Sequence, residues 1–74
     1  MEPAVDMGLV KRTIRLAKHN TSIALEAEFW EALENHARRR GCRVQDIITE
    51  IDATRTDGLA SAIRVAMLTA ARQG

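Results

Sequence analysis

The hydrophobic pattern of this chain changes period once, near residue 26, and that change constrains the fold more than any other feature. Residues 21–25 follow the two-residue period of a half-buried strand, which places Ile23 and Leu25 on one face. From Phe29 onward, apolar residues recur every three or four positions, as they do in an amphipathic helix. The pattern therefore predicts a chain that begins with strand structure and continues as helices.

A second alternation lies upstream, over residues 13–16, but it has the opposite parity. Its apolar members, Ile14 and Leu16, are even-numbered, whereas Ile23 and Leu25 are odd-numbered. One unbroken strand cannot turn both pairs toward the same core. Either a turn or bulge lies over residues 17–20, or the first stretch is separate, as a strand beside Ile23 or as an ordered arm.

Three helices are predicted from the remaining sequence. The first, over residues 27–40, has glutamates early and arginines late, as the helix dipole favours, and Gly41 follows where a left-handed C-terminal cap belongs. The second begins near residue 43 or 44 without a Ser, Thr or Asp cap. A polar break over residues 52–58 precedes the third helix, which we expect over residues 59–72.

The length of 74 residues predicts one domain, over residues 10–74, preceded by a flexible leader over residues 1–9. A chain this short usually needs a disulfide, a metal or a partner subunit. One cysteine and two distant histidines supply neither of the first two, so we expect oligomerisation and no metal or cofactor. With 3% aromatic residues the core must be mainly aliphatic. The predicted dimer core comprises Ile23, Leu25, Phe29, Trp30, Leu33, Ile47, Ile48 and Ile51.

Several functional classes are disfavoured. No apolar run approaches the roughly 18 residues of a membrane span, and the first residues lack the order of a signal peptide, so a cytoplasmic protein without membrane contact is expected. The net charge of +1 gives no general attraction to polyanions. So short a chain leaves little room for a substrate pocket, and its glutamates lack paired general-acid geometry. We therefore expect no enzyme and no catalytic residue.

Residues 10–20 are the most informative segment for function, because they hold four basic side chains and no acid. A two-stranded β-ribbon fits the DNA major groove about as well as a helix does. A single strand cannot form a ribbon, but two chains giving one strand each can. Ordinary solvent exposure of these residues is the competing interpretation. The predicted base-facing side chains are Lys18, Asn20, Ser22 and Ala24, and the predicted phosphate contacts on the strand segment are Lys11, Arg12 and Arg15.

The sequence also resembles a known family. The run Thr21-Ser22-Ile23-Ala24-Leu25-Glu26, followed by Phe29-Trp30, is similar to a branch of short bacterial proteins in the ribbon-helix-helix superfamily. That branch carries a Thr-Ser-Ile-x-Leu-Glu-x-x-Phe-Trp signature. Its upstream basic motif is matched by residues 12–16 and its late motif by residues 59–65. The resemblance extends from Lys11 to about Leu68.

The resemblance implies a mainly α protein with a short N-terminal β-ribbon (α+β), built as ribbon-helix-helix plus a third C-terminal helix. It further implies an intertwined homodimer whose antiparallel paired strands enter the major groove. The start of the second helix, at Arg43 and Val44, would then hold a DNA phosphate. This sequence departs from the pattern twice: Ala24 stands where a base-reading arginine or polar residue is common, and Arg43 where a serine or threonine cap is usual.

The leading hypothesis is a homodimeric, sequence-specific DNA-binding protein that acts as a transcriptional repressor. Two alternatives remain. The first alternative is an antitoxin whose C-terminal helix binds a toxin. The second is a dimeric protein-interaction module that has lost DNA binding.

Overall fold

A computed structural model describes residues 8–73 and contains two strands followed by three helices. The elements are β1 (Leu9–Arg15), β2 (Asn20–Glu26), α1 (Ala27–Arg40), α2 (Val44–Thr54) and α3 (Leu59–Gln73). The order predicted from the change of period is confirmed, including the third helix. The leader expected over residues 1–9 lies outside the described residues as far as residue 7, and Leu9 is the first residue of β1.

The two strands form an antiparallel hairpin within one chain, with a register that runs from Leu9 opposite Glu26 to Arg15 opposite Asn20. At its closed end the Leu16 backbone N–H donates to the His19 carbonyl at 2.8 Å. The hairpin resolves the conflict of parity, because folding back at residues 17 and 18 brings the even-numbered residues of β1 opposite the odd-numbered residues of β2. The first stretch is thus a strand of its own. Of the alternatives left open by the sequence, the separate strand is the one found, and each chain supplies two strands.

Register also determines which side chains face the helices, because residues opposite each other in an antiparallel pair lie on the same face. Ile23 and Leu25 are buried, so the face that carries them is the inner one. On β1 this inner face carries Val10, Arg12 and Ile14.

Side chains from all three helices close the core over that inner face. Six of the eight predicted core residues are buried, whereas Phe29 and Ile51 are partly buried and pack against them. The third helix adds Ile63 and Met67, and Leu16, which directly precedes the hairpin loop, is also buried in the core. The described part of the chain buries no polar or charged residue. Burial of the predicted core is therefore achieved within a single chain, with α3 covering what two helices would leave open.

The connection between α1 and α2 is a short turn at residues 41–43. Gly41 has a φ of 71°, its N–H donates to the Arg38 carbonyl, and the Cys42 N–H donates to the Ala37 carbonyl. This pair of bonds is a Schellman motif, and it satisfies carbonyls that the end of α1 leaves open. Across the turn, the Arg40 guanidinium makes two hydrogen bonds of 2.9 and 2.8 Å to the Glu50 carboxylate and so joins α1 to α2.

Ile63 provides a test of the contribution of α3, because its side chain is fully buried. We expect Ile63→Ala to lower the free energy of unfolding by about 2–5 kcal/mol, through lost transfer free energy and the cavity left behind. Urea denaturation at one fixed protein concentration measures the change. The matched control is Val65→Ala, on the same helix but 60% exposed, for which a change of about 0.5 kcal/mol or less is expected. Equal effects of the two substitutions would contradict the packing described here.

Candidate nucleic-acid interface

The face of the hairpin that points away from the helices is the candidate interface, and we call it the outer face. It carries the opposed pairs Lys11 with Ala24, Thr13 with Ser22, and Arg15 with Asn20, and Leu9 with Glu26 follows at the open end of the hairpin. All residues of the first three pairs are exposed except Ala24, which is partly buried. Three of the four predicted base-facing residues and two of the predicted phosphate contacts are thus brought together on one surface.

The outer face is cationic and polar. Lys11 and Arg15 on β1 supply positive charge, and the β2 side chains opposite residues 11–15 are neutral. An acid, Glu26, ends β2 at the open end of this face, and its carboxylate accepts a 2.9 Å hydrogen bond from Arg64 Nε on α3. That bond, supported by the backbone of Glu26 itself, holds the pKa of Glu26 below its ordinary value. The Glu26 carboxylate at this end of the face is therefore ionised and paired with Arg64.

Arg12 lies on the other side of the hairpin. It stands opposite Ile23 on the inner face, with its guanidinium carbon 4.7 Å from the centre of the Trp30 ring and its Nη1 3.1 Å from Glu34 Oε2. Trp30 Nε1 also donates to the Val10 carbonyl at 2.7 Å. These contacts fasten β1 to α1 and direct Arg12 away from the surface that holds Lys11 and Arg15. Its parity, shared with Ile14, is the sequence signal for that placement.

Lys18, the fourth predicted base-facing residue, lies in the two-residue hairpin loop and not on the outer face. The loop packs near the C-terminal half of α2, where Leu16 and Lys18 share a shallow groove with Thr49 and Asp52. Lys18 is exposed there and adds positive charge at the end of the hairpin.

The start of α2 was predicted to bind a phosphate through Arg43 and Val44, and the structure shows a carboxylate already at that position. Asp46 Oδ2 accepts the Arg43 backbone N–H at 3.0 Å and lies 3.4 Å from its Nε. These bonds, the backbone one above all, hold the pKa of Asp46 below its ordinary value. An external phosphate would therefore meet the N–H groups of Val44 and Gln45 beside an acid, while the Arg43 side chain remains 73% exposed.

We also considered metal sites, membrane-spanning helices and exposed apolar side chains. Within residues 8–73 no group of three His, Cys, Asp or Glu side chains is placed to hold a metal ion. In the same part of the chain, no helix is long and apolar enough to cross a membrane. The exposed large apolar side chains of α3 are Val65 and Leu68, at 60% and 57%.

The pairing of Glu26 with Arg64 predicts how the pKa of Glu26 responds to loss of the arginine. Arg64→Gln removes the positive partner, so the pKa of Glu26 should rise toward its ordinary value, as NMR titration of the side-chain carboxyl can measure. A lowered pKa contributes stability that is present at neutral pH and lost as the pH falls through the folded-state pKa. The variant should thus lose less stability on acidification. Arg40→Gln is the control, since it releases Glu50 and leaves Glu26 as it was. An unchanged Glu26 pKa in Arg64→Gln would contradict the pairing.

Comparison with known protein families gives a match over most of the chain. A family sequence profile described as a ribbon-helix-helix domain matches residues 9–71, which span both strands and nearly all of α3. No curated protein and no solved structure matches the chain. Ribbon-helix-helix domains are DNA-binding, non-enzymatic modules that typically dimerise. The matched region covers most of the sequence and coincides with the strand and helix order described above, so this chain belongs to the ribbon-helix-helix family.

Proposed function

We propose that this protein is a homodimeric, sequence-specific DNA-binding regulator whose hairpin faces the major groove. The observation that carries the proposal is the outer face, which combines two cations with neutral hydrogen-bonding side chains and whose marginal acid is paired. Family membership supports the same conclusion. Repression is the regulatory mode we propose, because it requires only that the protein occupy its site. We place this activity in the cytoplasm.

The residues of β2 have the chemistry needed for base recognition. The Asn20 amide can donate to and accept from adenine, and the Ser22 hydroxyl can do either with several base edges. Ala24 can offer a methyl contact to thymine. Lys11 and Arg15 supply phosphate attraction, and the exposed Arg43 at the start of α2 can add to it. Arg12 is left out of this set because Glu34 and Trp30 hold it on the inner face.

The proposed dimer follows from the free edge of β2. The Leu16–His19 bond marks a hydrogen-bonded pair, and such pairs alternate with non-hydrogen-bonded ones along an antiparallel ladder. Backbone groups of Asn20, Ser22 and Ala24 therefore point away from β1, and the described sheet has no third strand to receive them. An open edge of this kind is a template for pairing with another strand. A second copy meeting the same edge by two-fold symmetry gives a four-stranded sheet with β1 strands outside and β2 strands at the centre.

A second candidate function rests on a different surface. Val65 and Leu68 are exposed one helical turn apart on α3 and offer an apolar contact for a protein partner. That contact would suit an antitoxin that binds a toxin through α3, or an interaction module without DNA binding. It becomes the preferred function if the folded dimer binds no DNA.

Replacing the base-facing polar side chains tests sequence-specific binding. In a gel-shift selection against genomic fragments, we expect the wild-type chain to enrich discrete sequences. Asn20→Ala combined with Ser22→Ala should lower the ratio of specific to random-duplex affinity by about 10- to 100-fold, since hydrogen bonds to base edges are lost. Ser61→Ala, exposed on α3, is the control and should change nothing. An unchanged preference in the double variant removes these residues from recognition. A confirmed dimer that binds no fragment at low salt refutes the proposed function.

Proline substitutions in β2 test the edge-to-edge dimer. Ala24→Pro removes an N–H that faces the free edge, a change that an edge strand tolerates, so the chain should stay folded by circular dichroism but sediment as a monomer. Ile23→Pro instead removes an N–H directed at β1 and should disrupt the hairpin itself. Continued dimerisation of Ala24→Pro, or a wild-type chain that stays monomeric at tens of micromolar, would contradict the arrangement.

A further inference from the structure

The outward side chains of the hairpin are divided by strand. Those of β1 are Lys11, Thr13 and Arg15, two long cations flanking a hydroxyl. Those of β2 are short and uncharged between Asn20 and Ala24. Because a hairpin presents both strands on the same face, nothing in the pairing itself requires this separation of charge. The division therefore points to two different ligand surfaces above the two strands.

The width of the sheet indicates what those surfaces are. Neighbouring strands lie about 4.8 Å apart, so the outer strands of a four-stranded sheet are separated by about 14 Å. The major groove is about 12 Å wide, which accommodates two strands but not four. With the two β2 strands centred over the groove, each β1 strand lies above one of its walls, and those walls are the sugar–phosphate backbones.

We propose that β1 is a dedicated phosphate-binding strand that lies along one DNA backbone while β2 faces the bases. Lys11 and Arg15 pair with phosphates, and the Thr13 hydroxyl donates to a phosphate oxygen between them. Side chains two residues apart on a strand are about 6.6 Å apart, a spacing close to that of successive phosphates on one DNA strand. The inference rests on the proposed DNA-binding dimer and adds Thr13 to its interface.

Contacts on the inner face hold β1 in position for this role. The Trp30 bond to the Val10 carbonyl and the Arg12 pair with Glu34 join the inner face of the strand to α1. Arg12 therefore contacts α1 and not the outer face, although it belongs to the same basic segment as Lys11 and Arg15. The cations of the outer face are thus carried on an anchored strand, which reduces the conformational entropy lost when they meet phosphate.

The experiment compares salt dependence with sequence preference. Binding of a selected duplex and of a random duplex is followed by fluorescence anisotropy at 50–200 mM salt. Lys11→Gln/Arg15→Gln removes four cations per dimer, so the slope of log affinity against log salt should fall by about 3 to 4. The wild-type chain should then lose about 100-fold more affinity than the variant across this range. Both duplexes should be weakened equally, with the preference retained.

Two controls make the outcome specific. Arg39→Gln/Arg72→Gln removes the same charge from exposed positions on α1 and α3 and should leave the slope close to that of the wild-type chain. Thr13→Val should weaken both duplexes by the same factor without changing the slope. Circular dichroism verifies that each variant is folded.

Three results would overturn the inference. A β1 double variant whose slope matches that of the helix control shows that β1 does not contact phosphate. A β1 variant that changes sequence preference shows that β1 reads bases. Either result leaves the proposed function standing if the wild-type chain binds its selected duplex. A wild-type dimer that binds neither duplex at low salt refutes both proposals.

Discussion

The register between β1 and β2 is the constraint on which the rest of the structure depends. A shift of one residue would exchange the two faces, bringing Ile23 to solvent and Ser22 into the core. The ladder between the strands sets this register, and three further contacts support it: the Leu16–His19 backbone bond at the loop, the Trp30 bond to the Val10 carbonyl, and the Arg12 pair with Glu34. The first of these lies within the hairpin. The other two come from α1, so the helix that follows the sheet also determines which face of the sheet is left for a ligand.

The third helix changes what a partner subunit is needed for. From length alone, a second chain was expected to complete the core, yet Ile63 and Met67 already cover it from within the same chain. The same helix places Arg64 against Glu26 at the end of β2. One element therefore both closes the core and neutralises the acid at the open end of the outer face. In the proposed dimer a second copy has a different role, which is to satisfy the free edge of β2 and to double the number of cations presented.

The sequence predicted the order of elements, the end of α1 at Gly41 and most of the core, because periodicity and capping act locally. Parity identified the conflict near residues 17–20 but could not decide how it is relieved, since a bulge and a hairpin loop both change parity. Charge alone predicts that Arg12 acts with its basic neighbours, whereas the parity of residue 12 places it opposite Ile23 on the inner face. The bond from Arg64 to Glu26 joins residues 38 apart. Such a contact depends on how α3 packs, which no local pattern contains. At the start of α2, residue 43 is not a Ser, Thr or Asp cap, and the backbone N–H of Arg43 instead donates to Asp46, three residues later.

The opposed pairs of the outer face have a consequence for how this protein can diversify. Lys11 with Ala24, Thr13 with Ser22 and Arg15 with Asn20 are non-hydrogen-bonded pairs, in which side chains lie closest to one another. None of the six belongs to the hydrophobic core. They can be exchanged as three adjacent couples at little cost in folding free energy, provided that the alternation of polar and apolar positions is kept. The scaffold thus separates evolvable positions from structural ones, so the chemistry of the outer face could change in descendants of this chain without a change of fold.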